Sequence, residues 1–274
     1  MQTAVITGGT DGIGRALAEV YLQRGFEVLI VGRDAAKGRE FLSAVQRAGA
    51  GGRARFVSAD LSLVGENRNL VRLIAQDYAA VDLLVLGARY HRPVRTLTAE
   101  GFESNFALFY LSRYVLSHGL AEQLARASRP VILNFAACGL TGPVQWDDLQ
   151  LERGYHGVGA MGHGGRLNDL LGAGYRDVHP DSSVGYVLNH PGVVATSFAG
   201  EYDPATAARI EALRSSGRTV GAAVAQIQPY LDFPVPGGLT AVVEGQPVRT
   251  DTAAFDPEDA TRLNSVTRQL LDHG

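Results

Sequence analysis

A glycine-rich segment follows the first apolar run of the chain. Ala4-Val5-Ile6 leads into Thr7-Gly8-Gly9-Thr10-Asp11-Gly12-Ile13-Gly14, where a helical pattern begins. A tight turn from a strand into a helix directs several backbone N–H groups and the positive end of the helix dipole toward one point, which suits a pyrophosphate. Glycine is needed there because a Cβ atom would keep the phosphates away from the backbone. The segment therefore predicts a nucleotide-binding loop.

Arg33 follows the second apolar run, Glu27-Val28-Leu29-Ile30-Val31-Gly32. In dinucleotide-binding folds, this position selects between an acidic residue on the ribose hydroxyl and a cation on the 2′-phosphate. An arginine here favours NADP over NAD as the cofactor, and a solvated surface arginine is the alternative.

The elements that must position these residues alternate along the chain. Apolar, strand-like runs lie near residues 27–31, 55–57, 83–86, 131–134, 184–188 and 239–243. Helical patterns lie near residues 35–48, 64–78, 100–127 and 167–175, and a closing helix begins near Asp256. This alternation predicts an α/β fold, a Rossmann-type doubly wound parallel sheet of about seven strands with helices on both faces. No repeat or linker interrupts it, so residues 1–274 are interpreted as one domain.

Composition excludes several classes of function. A net charge of −3 argues against a nucleic-acid partner or an anionic membrane, and no apolar run is long enough to span a bilayer. A single cysteine, Cys138, permits no internal disulfide, which fits the cytoplasm. No group of His, Cys, Asp and Glu has the spacing of a metal site, so no metal is expected.

Several separate motifs resemble the short-chain dehydrogenase/reductase family. Residues 7–14 match TGxxxGIG in every fixed position, and Asp60-Leu61 follows the third strand, where the family contacts the adenine. Asn105 lies where the family's active-site asparagine interrupts a long helix. Pro191-Gly192-Val193-Val194-Ala195-Thr196 is similar to the PGxxxT segment that holds the nicotinamide carboxamide. The resemblance implies a bound NADP cofactor and extends over nearly the whole chain; residues 146–150 and the closing helix are most similar to the retinol-dehydrogenase-like branch.

The chain departs from the family where the family performs its chemistry. The family's Asn-Asn-Ala-Gly becomes Leu86-Gly87-Ala88-Arg89, which keeps Ala88 and places a cation beside the cofactor, where it either contacts the ligand or obstructs the site. The catalytic serine is missing from the segment 134–138, Met161 stands at the tyrosine position and Gly165 at the lysine position. Glycines at 157, 159, 162, 164 and 165 predict that the following helix begins late, near Arg166, and leaves a loop over the pocket.

Other side chains could replace the missing acid–base groups. Tyr155, His163 and Arg89 are the nearest candidates, together with Asn105, which is structural in the alternative interpretation. Further candidates are His156, Arg166, Tyr90 and His91. Each histidine is more often a solvated group than a catalyst, and Cys138 is more often inert packing than a nucleophile.

Three functions fit these features. The first is an NADP-dependent oxidoreductase whose small-molecule substrate, such as an activated, secondary-metabolite-like acceptor, needs little proton transfer. The second is a non-redox cyclase, isomerase or dehydratase on the same scaffold. The third is a cofactor-sensing or partner-binding protein without catalysis. The preserved glycine loop favours the first, and the missing Ser, Tyr and Lys favour the others.

The resemblance also implies a homodimer or homotetramer. In the family, the helices near Glu100 and near the catalytic segment commonly pair across a two-fold axis. The first of these helices carries more aromatic residues than one core face should need, although a fully buried helix would look the same. These aromatics are Phe102, Phe106, Phe109, Tyr110 and Tyr114.

Overall fold

The protein, described here by a computed structural model over residues 1–140 and 142–273, is built on one eight-stranded sheet. The strand order is β3-β2-β1-β4-β5-β6-β7-β8, and every pairing is parallel except β7 with β8. The strands are β1 Thr3–Thr7, β2 Glu27–Gly32, β3 Ala54–Ser58, β4 Leu83–Leu86, β5 Val131–Phe135, β6 Gly185–His190, β7 Leu239–Val243 and β8 Gln246–Val248. The order reverses between β1 and β4, which is where such sheets form a crevice at their carboxyl edge.

Helices cover both faces of the sheet, as the alternation predicted. They are α1 Gly12–Gln23, α2 Ala35–Arg47, α3 Val64–Asp77, α4 Ser104–Phe106, α5 Ser112–Gly119, α6 Ala121–Ala125, α7 Gly157–Val178, α8 Pro204–Ser216, α9 Val220–Asp232 and α10 Pro257–His273. A π-helical segment, Ala107–Leu111, joins α4 to α5. One apolar core packs α1, α2 and α9 on the sheet, and the other packs α3, α5, α7 and α10. Because both faces are covered, β1 and β4 are buried along their whole length and read as continuous apolar runs.

The sheet has one strand more than the expected seven. Glu244 and Gly245 both adopt positive φ and form a two-residue turn into β8, which pairs antiparallel with β7. The segment Gln246-Pro247-Val248 gave little strand signal, because it is short and contains a proline that only an edge strand accepts.

The prediction that the helix after the glycines begins near Arg166 is wrong. Helix α7 begins at Gly157 and His156 caps it, with its ring accepting from the N–H of Gly159. The glycines serve close packing. A Cβ at Gly157 would lie 2.5 Å from the carbonyl oxygen of Arg92, and one at Gly164 would lie 2.6 Å from the ring of Phe109. Tertiary packing therefore outweighs the cost of glycine, about 1 kcal/mol for each residue.

Helix α10 covers the helices on which the expectation of a dimer rested. The Tyr110 hydroxyl is 2.7 Å from Thr267 Oγ1, and the Tyr114 hydroxyl donates to Asn264 at 2.6 Å. A Cβ at Gly174 of α7 would lie 3.1 Å from Ala260 of α10. All five aromatics named above are buried within the single chain. The core accounts for them, so they offer no surface for a second copy.

Candidate active site

The glycine loop has the geometry expected of a phosphate cradle. Gly8 and Gly12 adopt φ values of +69° and +52°. A Cβ at Gly14 would lie 2.4 Å from the carbonyl oxygen of Gly8, so the first turn of α1, which includes Ile13, fits against the loop only without a side chain there. Thr7 ties the loop to β4, because its hydroxyl donates to the Val85 carbonyl and accepts from the N–H of Gly87 at 3.0 Å. The loop is therefore held rigidly at the switch point of the sheet.

Asp11 connects the loop to two other segments. Its carboxylate accepts from the N–H of Gly12 at 2.7 Å and from Lys37 Nζ at 3.0 Å, and it also bonds the Ser197 hydroxyl. Although burial opposes it, the hydrogen bonds from Ser197 and Lys37 lower the pKa of Asp11. Lys37 is the single lysine of the chain and lies far in sequence from the segment that corresponds to the family's catalytic positions. Its position in the first turn of α2, four residues after Arg33, was the signal that could have placed it near the cofactor loop.

The segment after β6 lies opposite the glycine loop. Gly192 adopts a φ of +69° after Pro191, and Val194 is buried. A Cβ at Gly12 would lie 3.0 Å from the methyl of Thr196. A cavity of about 310 Å³ lies between the two segments, lined by Asp11, Gly12, Arg15, Ala16, Glu19, Ala195, Thr196, Ser197 and Val220. The structure thus brings together two motifs that are far apart in sequence and that the resemblance assigns to cofactor binding.

Arg33 lies between Tyr90 and Asp60, just after β2. Its guanidinium is 4.5 Å from the centre of the Tyr90 ring and 3.9 Å from the Asp60 carboxylate. The next acid, Asp34, accepts from the N–H groups of Ala36 and Lys37 as the cap of α2, so it is occupied. Asp60 also accepts from both the N–H and hydroxyl of Ser62. The side chain of Leu61 lies in the core, so only its backbone faces the crevice.

Met161 and Gly165, which the resemblance aligns with the family's catalytic tyrosine and lysine, both lie in α7. Gly165 faces the end of β5, where its Cβ would lie 3.1 Å from that of Ala137. Asp169, one turn later, accepts from the N–H groups of Cys138 and Gly139 and pins the turn after β5. Burial raises the pKa of Asp169 to about 6 and that of the Cys138 thiol to about 12, so this cysteine is no nucleophile.

The fold brings Asn105 and Tyr155 together. Within residues 1–140 and 142–273, no lysine or arginine side chain forms a hydrogen bond with either of them. Asn105 Nδ2 donates to the Tyr155 hydroxyl at 2.7 Å, and that hydroxyl is 3.1 Å from the buried Glu103 carboxylate. Burial and then the charge of Glu103 raise the pKa of Tyr155 well above its usual range. A tyrosine that functions as an acid near neutral pH needs the opposite shift. Sequence reasoning missed Glu103, whose carboxylate also caps α4.

The helix that carries Asn105 is interrupted after it rather than at it. The π-helical segment spans Ala107–Leu111, and the Phe109 carbonyl accepts from Asn168 Nδ2 at 2.6 Å. A π-helical turn frees backbone groups from the normal ladder, and here a side chain of α7 binds one of them. Asn105 lies in the turn before, where its Oδ1 is buried without a partner among the described residues.

His163 projects from the side of α7 opposite Met161, since two residues of an α-helix are about 200° apart. Its Nε2 accepts from the N–H of Gln145 at 3.1 Å, and burial lowers the pKa of the imidazole to about 4. It lines a separate cavity of about 820 Å³ between α7 and residues 142–154. The other α7 candidate, Arg166, is buried and donates to the carbonyls of Ala253 and Ala254.

Arg89 follows Ala88 at the carboxyl end of β4, beside the glycine loop. A Cβ at Gly8 would lie 2.9 Å from Ala88 N, which is itself 3.3 Å from Thr7 Oγ1. His91, two residues after Arg89, pairs with the segment after Thr196. The His91 N–H donates to the Ala199 carbonyl, and its ring stacks on the Tyr202 ring with the centroids 4.8 Å apart. Residues 89–92 and 199–202 therefore meet above the crevice.

Neither a metal site nor a membrane-spanning helix is present in residues 1–140 and 142–273. That part of the chain holds no group of three His, Cys, Asp or Glu side chains that could bind a metal ion. No helix within it combines the length and apolarity that a membrane crossing requires.

Comparison with known proteins agrees with this geometry. The family model described as short chain dehydrogenase matches residues 2–144. A protein of Streptomyces sp. (strain C5), DnrU, assigned provisionally as a daunorubicin C-13 ketoreductase, is 31% identical over 71% of this chain and 67% of its own length. Retinol dehydrogenase 12 of Mus musculus is 26% identical over 70% of this chain and 61% of its own length. The aligned part thus spans about two thirds of each relative or less.

A solved structure has the same fold. The short chain dehydrogenase from Burkholderia cenocepacia J2315 in complex with NADP is 21% identical, with a TM-score of 0.67, and the match covers 89% of this chain and 97% of that one. Together with the family match over more than half of the chain, these findings identify the protein as a member of the short-chain dehydrogenase/reductase family.

Proposed function

We propose that the protein binds NADP(H) and reduces an activated small-molecule acceptor without the family's Ser, Tyr and Lys. The observation that carries the proposal is the glycine loop itself, in which Gly8, Gly12 and Gly14 pack so closely that a Cβ would lie 2.8 Å from Gly87, 3.0 Å from Thr196 and 2.4 Å from the Gly8 carbonyl oxygen, respectively. The loop N–H groups and Thr196 would hold the pyrophosphate, Arg33 and Lys37 the 2′-phosphate, and the Pro191–Gly192 turn the carboxamide. NADP complexes of structural relatives support the cofactor.

The side chains around the crevice limit the chemistry. A bound nicotinamide supplies hydride, but Met161 and Gly165 can neither donate nor accept a proton. Losing general acid–base help costs about 10²–10⁴ in rate for ordinary ketones. The acceptor should therefore accept hydride with little proton assistance, as an enone, a quinone-like ring or an iminium does. The assignment of DnrU to daunorubicin as its substrate supports a secondary-metabolite-like substrate here.

Non-redox chemistry is the second candidate. The substitution of all three catalytic positions favours it, because a cyclase or isomerase needs positioning more than hydride. A cofactor-sensing protein without turnover fits the same substitution. The cytoplasm is the proposed location for either enzyme, since the single cysteine suits a reducing compartment.

Cofactor binding is tested with two glycine variants. Gly14→Ala places a methyl 2.4 Å from the Gly8 carbonyl oxygen, whereas a Cβ at Gly221 has nothing within 4 Å. We expect Gly14→Ala to weaken NADPH binding by at least tenfold in calorimetry, whereas Gly221→Ala should bind NADPH as the wild type does. Circular dichroism checks that both variants are folded. Equal NADPH affinity in both variants would refute the cradle.

The reaction class is tested with deuterium. NADPH labelled at C4 on either face is incubated with a panel of enones, quinones and iminium salts. Stereospecific transfer of deuterium to product supports the oxidoreductase. Product with no label and full cofactor recovery would shift the function to the non-redox class, and binding without any product would favour the sensor.

A further inference from the structure

Arg89 has no partner in the part of the chain that the structure describes. Two acids of this region pair with other groups: Glu201 with Arg92 at 2.7 Å, and Asp60 with Ser62 and Arg33. Arg89 itself has no acid within ion-pair distance and forms no hydrogen bond within residues 1–140 and 142–273. In the family motif that the resemblance aligns with residues 86–89, this position is a glycine.

The Arg89 side chain is exposed to solvent at the carboxyl end of β4, where the sheet forms its crevice. Desolvation by the surrounding protein lowers the pKa of the guanidinium. The backbone of Ala88 abuts Gly8, and His91 and Tyr202 close the other side, so the crevice is the one above the glycine loop.

A second arginine without an acid lies directly beneath. Arg113 is buried and donates to neutral acceptors, Asn134 Oδ1 at 2.7 Å and the Ala88 carbonyl at 3.4 Å. Its Nε is buried without a partner among the described residues. Burial lowers the pKa of Arg113 to about 9, and the charge of Arg89 contributes to that shift. Buried charges are normally paired, so the buried Arg113 with no acid beside it, and the exposed Arg89 on the other side of Ala88, make this place favourable for an anion.

We propose that Arg89 binds an anionic group, a carboxylate or a phosphate, of a molecule in this crevice. The guanidinium offers a planar, bidentate donor that suits either group. Two sources are possible: the cofactor's pyrophosphate, or an acid group on the substrate of the proposed reaction. The substrate case rests on the proposed function, whereas the anion site itself does not.

The test compares three variants by calorimetry with three probes. Arg89→Gln removes the charge, Arg89→Lys keeps the charge but loses the fork, and Arg95→Gln is the control, because Arg95 lies in the same loop but already pairs with Glu152. The probes are inorganic pyrophosphate, NADPH, and benzoate added to NADPH-saturated protein. Because Arg89 forms no internal bond, Arg89→Gln should melt no lower than the wild type.

Each outcome of this test either supports or overturns the anion site at Arg89. A tenfold or greater loss of pyrophosphate and NADPH binding in Arg89→Gln, with a smaller loss in Arg89→Lys, assigns the anion to the cofactor. Unchanged NADPH affinity with a tenfold loss for benzoate assigns it to the substrate. Pyrophosphate binding that depends on Arg89 in a protein that does not bind NADPH would uphold the anion site while the proposed function fails. Affinities within twofold of wild type for every probe, or no probe bound at all, would overturn the proposal, as would lower stability with unchanged binding.

Discussion

Two basic residues should decide between NADPH and NADH. Arg33 lies over the Tyr90 ring, and Lys37 reaches Asp11, on the two sides of the space after β2. A charge-assisted contact with a phosphate contributes about 1.5–3 kcal/mol. We expect Arg33→Ala to weaken NADPH binding at least tenfold. Lys37→Ala should weaken it less, because Asp11 already neutralises the Lys37 ammonium. Calorimetry measures both, with NADH as the internal control. Parallel losses for NADPH and NADH would contradict a 2′-phosphate site.

Tyr155 should matter for stability more than for turnover. Its hydroxyl bonds Asn105 and the buried Glu103, and its raised pKa keeps it protonated near neutral pH. We expect Tyr155→Phe to lower the free energy of unfolding by about 1–3 kcal/mol, since it leaves polar groups unpaired. Turnover of the true substrate should stay within a few-fold of wild type. Tyr90→Phe is the control, because the Tyr90 hydroxyl forms no hydrogen bond in the described residues. A 100-fold loss of turnover in Tyr155→Phe would instead make it the replacement acid.

Restoring the family's residues should not restore the family's reaction. The Cβ of a lysine at position 165 would lie only 3.1 Å from the Cβ of Ala137, so α7 or the turn after β5 must shift. We expect Met161→Tyr with Gly165→Lys to lose about 1–3 kcal/mol of stability and to reduce no simple ketone. Gly159→Ala is the matched control in the same helix, where a Cβ would meet only His156 at 3.8 Å. Ketone reduction by the double variant, at wild-type stability, would show that the pocket still accepts the standard machinery.

At the scale of elements, the contact between α7 and the loop before it should depend on pH through His163. The N–H of Gln145 donates to Nε2, which requires a neutral imidazole, and burial lowers the pKa to about 4. The unfolded chain binds a proton near pH 6.5 that the folded chain does not bind until about pH 4. The contribution of the neutral His163 to the free energy of unfolding is therefore fully present above pH 6.5 and is lost as the pH falls toward 4.

Denaturant unfolding between pH 7 and 4 measures this effect. We expect His163→Gln to flatten part of the decline. An identical pH profile for His163→Gln and the wild type would show that His163 is not held neutral by this contact.

At the scale of the whole molecule, α10 should control assembly. It packs on α7 and on the Tyr110–Tyr114 region, the surface through which the family resemblance implied a dimer. We expect light scattering at micromolar concentration to give the mass of one chain, 29.1 kDa. Truncation before Pro257 should expose those side chains and produce dimers or aggregates. A stable dimer of the full chain would mean that another surface pairs.

The sequence alone determined the fold class and the family, and it contained the glycine loop and the 191–196 segment that the resemblance assigns to the cofactor. Those features are local: the positive φ of Gly8 and Gly12 and the apolar run of β4 depend on the residues themselves. The start of α7 at Gly157 could not be predicted, because its glycines are explained by contacts with Arg92 and Phe109, which are distant in sequence.

Only the tertiary structure decided what the candidate catalytic residues do. Tyr155, His163 and Arg89 are the candidates that the sequence offers in place of the family's catalytic residues. The fold bonds the first to Glu103, turns the second to the outer side of α7 and leaves the third without a partner beside Gly8. A residue type defines which protons and charges a side chain can offer. Its partners and its pKa depend on groups that the chain brings together only when it folds.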